Sequence, residues 1–153
     1  MHSQATRARA TAVLLGALAL VLALAGCGRT GEATIHYDEG RAELEGLLDD
    51  LEEAMELEVL NHRPFGPPEP CDLPTADDGA TSSSSVQARI PAVDDPIARA
   101  SAVLVDAGYD LTDEGLDEGV FARRAGMRIT VEVDRAVEQL LIDASTGCRP
   151  VRD

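Results

Sequence analysis

The sequence predicts an α+β domain: an N-terminal acidic amphipathic helix, then a strand, a buried helix and an antiparallel C-terminal β-meander. Three observations carry this expectation. Leu44, Leu47, Leu48, Leu51, Ala54 and Met55 recur at the 3, 4, 7 spacing of one helical face. From residue 84 the apolar period shortens to the alternation of a strand, in Val86, Ala88 and Ile90. Between residues 119 and 144, two successive hairpin registers place their apolar residues on the same face.

The chain has 153 residues, and its first 26 read as a targeting segment. Arg7 and Arg9 precede fifteen uncharged, mostly apolar residues, "AVLLGALALVLALAG" at 12–26. That is the length of a secretory core and falls short of the roughly 20 residues of a spanning helix. Residues 27–37 follow as a tether. Its nine residues 28–36 span roughly 15–18 Å root-mean-square.

Residues 38–60 read as the acidic helix, with Asp38 as its cap and Asn61 followed by Arg63-Pro64 as its stop. The face opposite the leucines carries Glu45, Asp49, Glu52, Glu53 and Glu56. Like charges four apart cost a few tenths of a kcal/mol each, so packing of the leucine face must hold the helix. Residues 61–84 read as a Pro/Ser-rich connector, with five prolines between 62 and 81 and serines at 82–85. No nucleophile elbow or partner histidine accompanies those serines.

Residues 85–153 read as an αβ core packed with 38–60 as one domain. A strand at 85–91 precedes a helix capped by Asp95, with Pro96 at its first position and Gly108 at its end. That helix is apolar nearly all round, which predicts burial against a sheet. The meander is expected at 119–124, 127–134 and 137–144. With Ala125-Gly126 as the first turn, Ala122 faces Ile129 and Val120 faces Val131. With Arg135-Ala136 as the second, Val131 faces Leu140, Ile129 faces Ile142 and Met127 faces Ala144. Arg128, Thr130, Glu132, Gln139 and Asp143 share the other face. Phe121 and Leu141 interrupt it, and either lie under the acidic helix or mark a contact surface.

Composition excludes some functions. All 28 acidic residues and 11 of the 13 arginines lie beyond residue 26, leaving that part 17 units negative and repelling nucleic acid. With no tryptophan, two tyrosines and two phenylalanines, the chain lacks the aromatic platform of carbohydrate recognition. "DLTDEGLDEG" at 110–119 has the glycine of a calcium loop at Gly115 but Phe121 where the bidentate glutamate belongs. His36 and His62 have no partner at a metal-ligand or catalytic spacing. No catalytic residue, metal site or dissociable cofactor is expected.

Leu24-Ala25-Gly26-Cys27, placed after a basic and an apolar segment, resembles the lipobox of bacterial lipoproteins. The resemblance implies cleavage after Gly26, recognition of Leu24, Ala25 and Gly26 by a signal peptidase, and covalent diacylglycerol on the Cys27 thiol. Two acyl chains hold a protein stably where one does not. It also implies a location at the cell membrane, lipid-anchored on the extracytoplasmic face. Cys71 and Cys148 are then the only remaining thiols in an oxidising compartment, and a disulfide between them is expected.

The lipobox, Cys71 after "PPEP", "GMRITVEVD" and "STGCRP" together resemble small uncharacterised actinobacterial lipoproteins, with Gly108-Tyr109 where these often carry Gly-Trp. "RITVEVDRAVEQLLIDASTG", ending in Asp143-Ala144-Ser145-Thr146-Gly147, resembles the PepSY module. The expected function is a non-enzymatic cell-envelope lipoprotein binding a partner protein or small ligand. The PepSY resemblance implies an alternative, a regulator or inhibitor of a secreted protease. An enzyme of unrecognised type is the third.

Overall fold

The computed structural model describes residues 35–74, 78–112 and 118–152. The expected signal peptide, Leu24, Ala25, Gly26, the lipidation site Cys27 and the tether up to residue 34 lie outside the described residues. So do residues 113–117 of the calcium-like stretch.

Helix α1 spans Tyr37–Met55 and begins with a capping interaction at His36 rather than Asp38. The His36 backbone N–H donates to the Glu39 carboxylate at 3.2 Å. That hydrogen bond, and after it Arg152, hold the Glu39 carboxyl below its ordinary pKa. Leu44, Leu47, Leu48, Leu51 and Met55 are all buried, as their spacing predicts. Each such side chain contributes about 1.5–3 kcal/mol, far more than the acidic face costs.

The helix stops at Met55, five residues before the expected 60, because Glu56 turns left-handed at φ 52°. The N–H groups of Glu56 and Leu57 then return to the carbonyls of Glu53 and Glu52. The chain emerges extended, and Val59–Arg63 forms β1. Asn61 and Arg63, expected to stop a helix, are therefore strand residues.

The expected connector at 61–84 is largely strand. Beyond β1 it holds β2 (Glu69–Asp72), β3 (Asp78–Thr81) and the start of β4 (Ser83–Arg89). Pro70 is tolerated within β2 because β2 is an edge of its three-stranded sheet. Ser82 and Ser84 are buried in spite of their polarity. Ser82 exchanges backbone and side-chain hydrogen bonds with Thr146, and Ser84 Oγ donates to the Arg63 carbonyl at 2.9 Å.

Helix α2 spans Pro96–Asp106, and the Asp95 carboxylate accepts from the Ala98 N–H at 2.9 Å, as expected of that cap. Its burial is narrower than expected. Ala100 and Leu104 are fully buried, whereas Val105 is 54% exposed, so the helix lies at the margin of the core. Arg99 donates to the Ala54 carbonyl and satisfies an end of α1.

The meander is present as β6 (Gly119–Arg124), β7 (Met127–Asp134) and β8 (Gln139–Ser145), after a short β5 (Asp110–Thr112). Ala122 pairs with Ile129 and Val120 with Val131, as expected. The second hairpin differs: Val131 pairs with Ile142 and Ile129 with Ala144. Its loop is four residues, 135–138, with Glu138 left-handed at φ 55°. A slip of two keeps every side chain on its face, so the inward set is unchanged.

The six-stranded sheet runs β1-β4-β8-β7-β6-β5, and β2-β3-β9 (Arg149–Pro150) form a second. The larger sheet and both helices share one core that includes Val86, Ala122, Ile129, Val131, Leu140 and Ile142. In the smaller sheet, Cys71 and Cys148 form the disulfide, with Cα atoms 5.9 Å apart. It crosses β3 at Gly79, where a Cβ would meet Cys148 Sγ and the Cys71 carbonyl at 2.8 Å. Only glycine leaves that path open. Buried Arg149 then joins three segments by donating to the carbonyls of Thr146, Ile35 and Ala125. Among the described residues no helix is long and apolar enough to cross a membrane.

Candidate functional site

Both helices pack on one face of the six-stranded sheet, so the alternate residues of each strand point away from them. Register defines the resulting rows. Arg63, Ser85, Asp143, Thr130, Phe121 and Thr112 lie side by side across the six strands. Ser83, Ser145, Arg128, Arg123 and Asp110 form the next row. Phe121 and Leu141 therefore lie on the face away from α1, which removes one of the two placements open to them.

A hollow lies in the middle of this face. The hollow has a volume of about 260 Å³ and extends from Arg63 of β1 to Phe121 of β6. Ser83, Ser85 and Ser145 line it with Thr130, Arg128 and Asp143. Hydroxyls thus form the floor, with two cations, one anion and one aromatic ring around it. The Phe121 ring is held by the Arg123 guanidinium, 4.7 Å from its centroid.

The arginines of this protein divide into distinct groups. Arg41, Arg89, Arg124, Arg135 and Arg152 pair with Glu45, Glu58, Glu43, Glu118 and Glu39. Arg63 and Arg128 make no ion pair or side-chain hydrogen bond among the described residues, although both border the hollow. Asp143 lies on the strand next to Arg128, displaced by one same-face position from the residue opposite it. The two charges are neighbours without being partners.

The other side chains with chemical potential are structural. His62 Nε2 lies 3.5 Å from Ser84 Oγ, but that hydroxyl donates to a carbonyl and is buried, and no carboxylate among the described residues orients the ring. Tyr109 OH donates to the Glu43 carboxylate at 3.2 Å, and Arg124 binds the same oxygen at 2.8 Å. Burial, then the negative Glu43, push the Tyr109 hydroxyl pKa well above its ordinary value. Among the described residues no three His, Cys, Asp or Glu side chains converge on a point where a metal could sit.

Of the expected sites, Cys71 and Cys148 are brought together as a disulfide, far in sequence and adjacent in space. Arg63 was hidden from sequence reasoning by its place beside a proline, where it resembles a helix stop. Arg128, Thr130 and Asp143 were visible only as the polar half of an alternating pattern. The signal that could have found the hollow is Phe121, an aromatic residue set within that polar half. Compared with known proteins, this chain matches no family model, and no curated protein or solved structure shows significant similarity to it.

Proposed function

We propose that this chain is a non-enzymatic cell-envelope lipoprotein, anchored through diacylglycerol at Cys27 on the extracytoplasmic face of the membrane. It binds a partner protein or small ligand on the open face of its six-stranded sheet. The observation that carries the binding role is the polar hollow on the sheet face away from both helices, bordered by two arginines that have no ion pair among the described residues. In a chain with 28 acids, two such arginines that border one hollow are available to an incoming anion. Support for the location comes from Leu24-Ala25-Gly26-Cys27 and from the disulfide, a bond that persists in oxidising compartments.

A photoreactive amino acid placed at Thr130, compared with one at Asp50 on the outer face of α1, tests the binding surface on living cells. Adducts from position 130 alone are expected; adducts from position 50 alone refute the assignment. A secreted protease among the adducts would select the regulator that the PepSY resemblance implies. Intact mass tests the anchor: residues 1–26 must be absent and Cys27 must carry diacylglycerol. A Cys27→Ala chain that still partitions with membranes would refute it.

A further inference from the structure

We propose that the hollow on the open sheet face binds a small monocarboxylate that also carries a hydroxyl donor, such as a 2-hydroxy acid. The proposal rests on that face being the binding surface and names what it takes. Arg63 and Arg128 stand on strands three places apart, about 14–16 Å between Cα atoms from the strand spacing. Two arginine side chains are long enough to bring their guanidinium groups to a single small anion across that distance. A guanidinium offers parallel N–H donors that match the two oxygens of a planar carboxylate.

Charge selects the anion. Two arginines and one aspartate leave the hollow one unit positive, which matches a monoanion. The protein as a whole is 15 units negative, and its field opposes the approach of multivalent anions such as a phosphate dianion. Asp143 selects the second group. Its ionised carboxylate only accepts hydrogen bonds, so the ligand must bring a donor near its own carboxylate. Size sets the remainder. At about 260 Å³ the hollow falls below the range of drug-sized sites, and Phe121 offers one apolar wall for a short aliphatic group.

The full chain, purified from membranes in detergent and isotopically labelled, is titrated with L-lactate, acetate, L-lactamide and inorganic phosphate while backbone amide shifts are followed. L-lactate at millimolar concentration is expected to move Ser85, Thr130, Asp143 and Ser145 saturably, ahead of acetate, and L-lactamide to move none of them. Arg63→Gln and Arg128→Gln should each weaken L-lactate roughly tenfold or more, because each removes charge-assisted hydrogen bonds. Both arginines are exposed, so melting temperature should not change. Asp143→Ala should erase the advantage of L-lactate over acetate. Phosphate that shifts these amides more strongly than L-lactate overturns the assignment, as does unchanged L-lactate binding in the arginine variants. If L-lactate fails while the crosslinker at position 130 still captures a partner, the ligand class falls and the binding face stands. Failure of both overturns both.

Discussion

Reducing the Cys71–Cys148 disulfide should remove a large part of the stability of this domain. The bond closes a loop with a sequence separation of 77 residues and spans the smaller sheet from β2 to the start of β9. In the chain-entropy model, a loop of that size costs the unfolded chain about 4.5 kcal/mol of freedom, all of it regained on reduction. Domains of this kind have only about 5–15 kcal/mol to lose. With a urea slope of about 1.5–2 kcal/mol per molar, the midpoint should fall by about 2–3 M. Equilibrium urea unfolding followed by circular dichroism, with and without reductant, measures the difference. Neither cysteine belongs to the hydrophobic core cluster of the larger sheet, so the native amide spectrum of that core should persist after reduction. Oxidised and reduced midpoints within about 0.5 M of each other would refute the reasoning, since even half the entropic effect exceeds that interval.

Gly79→Ala places a methyl group 2.8 Å from Cys148 Sγ, and should cost the oxidised protein about 1–3 kcal/mol and the reduced protein less, as thermal melts under both conditions would show. Leu51→Ala empties a position that is fully buried and should cost about 2–5 kcal/mol, whereas exposed Val105→Ala should stay within about 0.5 kcal/mol in chemical denaturation. Arg149→Met keeps the bulk but leaves the carbonyls of Ile35, Ala125 and Thr146 without their donor, for a loss of about 2–4 kcal/mol in the same assay. Tyr109 has a folded pKa raised by burial and by Glu43, so it stabilises the fold fully below the unfolded value and loses that contribution as pH rises beyond about 10. Tyr109→Phe should flatten the alkaline limb of a stability-against-pH curve.

The meander, both helices and the inward residues were legible because each is written in a periodic apolar pattern with a local terminator. Asp95-Pro96 and Ala125-Gly126 act where they stand, through backbone geometry. The second hairpin loop was not legible to the residue, since a two-residue and a four-residue turn there bury the same side chains. What the sequence concealed most is the strand content of 59–84. Ser82, Ser84 and Ser85 are alike in composition, yet the first two are buried and hydrogen-bonded while the third opens onto the hollow. Alternation in Val86 and Ala88 marks the second half of β4, whereas its first inward residue is Ser84, satisfied by the Arg63 carbonyl, and β1, β2 and β3 carry no apolar alternation at all. The hollow was hidden for the same reason: its defining residues come from five strands, and only register brings Arg63 into the row of Phe121.

The two sides of this domain carry different charge. On α1, Glu45, Asp49, Asp50 and Glu53 are exposed, as is Glu56 at its C-cap, and no basic residue occupies its last turn. On the open sheet face the register places Arg63, Arg89, Arg123 and Arg128 with Asp110, Glu132, Asp134 and Asp143, so that face is balanced. An acidic solute or partner arriving from any direction is repelled by the helix side and meets no net repulsion on the sheet side. Ionic strength separates the two contributions. Exposed charges on α1 are screened within about 8–10 Å at physiological salt, whereas an arginine seated on a bound carboxylate is shielded from solvent by the ligand itself. Association of an anionic ligand with the sheet face should therefore quicken as salt is raised and the helix field fades. Its dissociation should change little. Stopped-flow binding over a salt series reads both rates. An association rate that falls with salt would mean that the local arginines dominate at long range, and that the acidic helix plays no part in selecting what reaches the hollow.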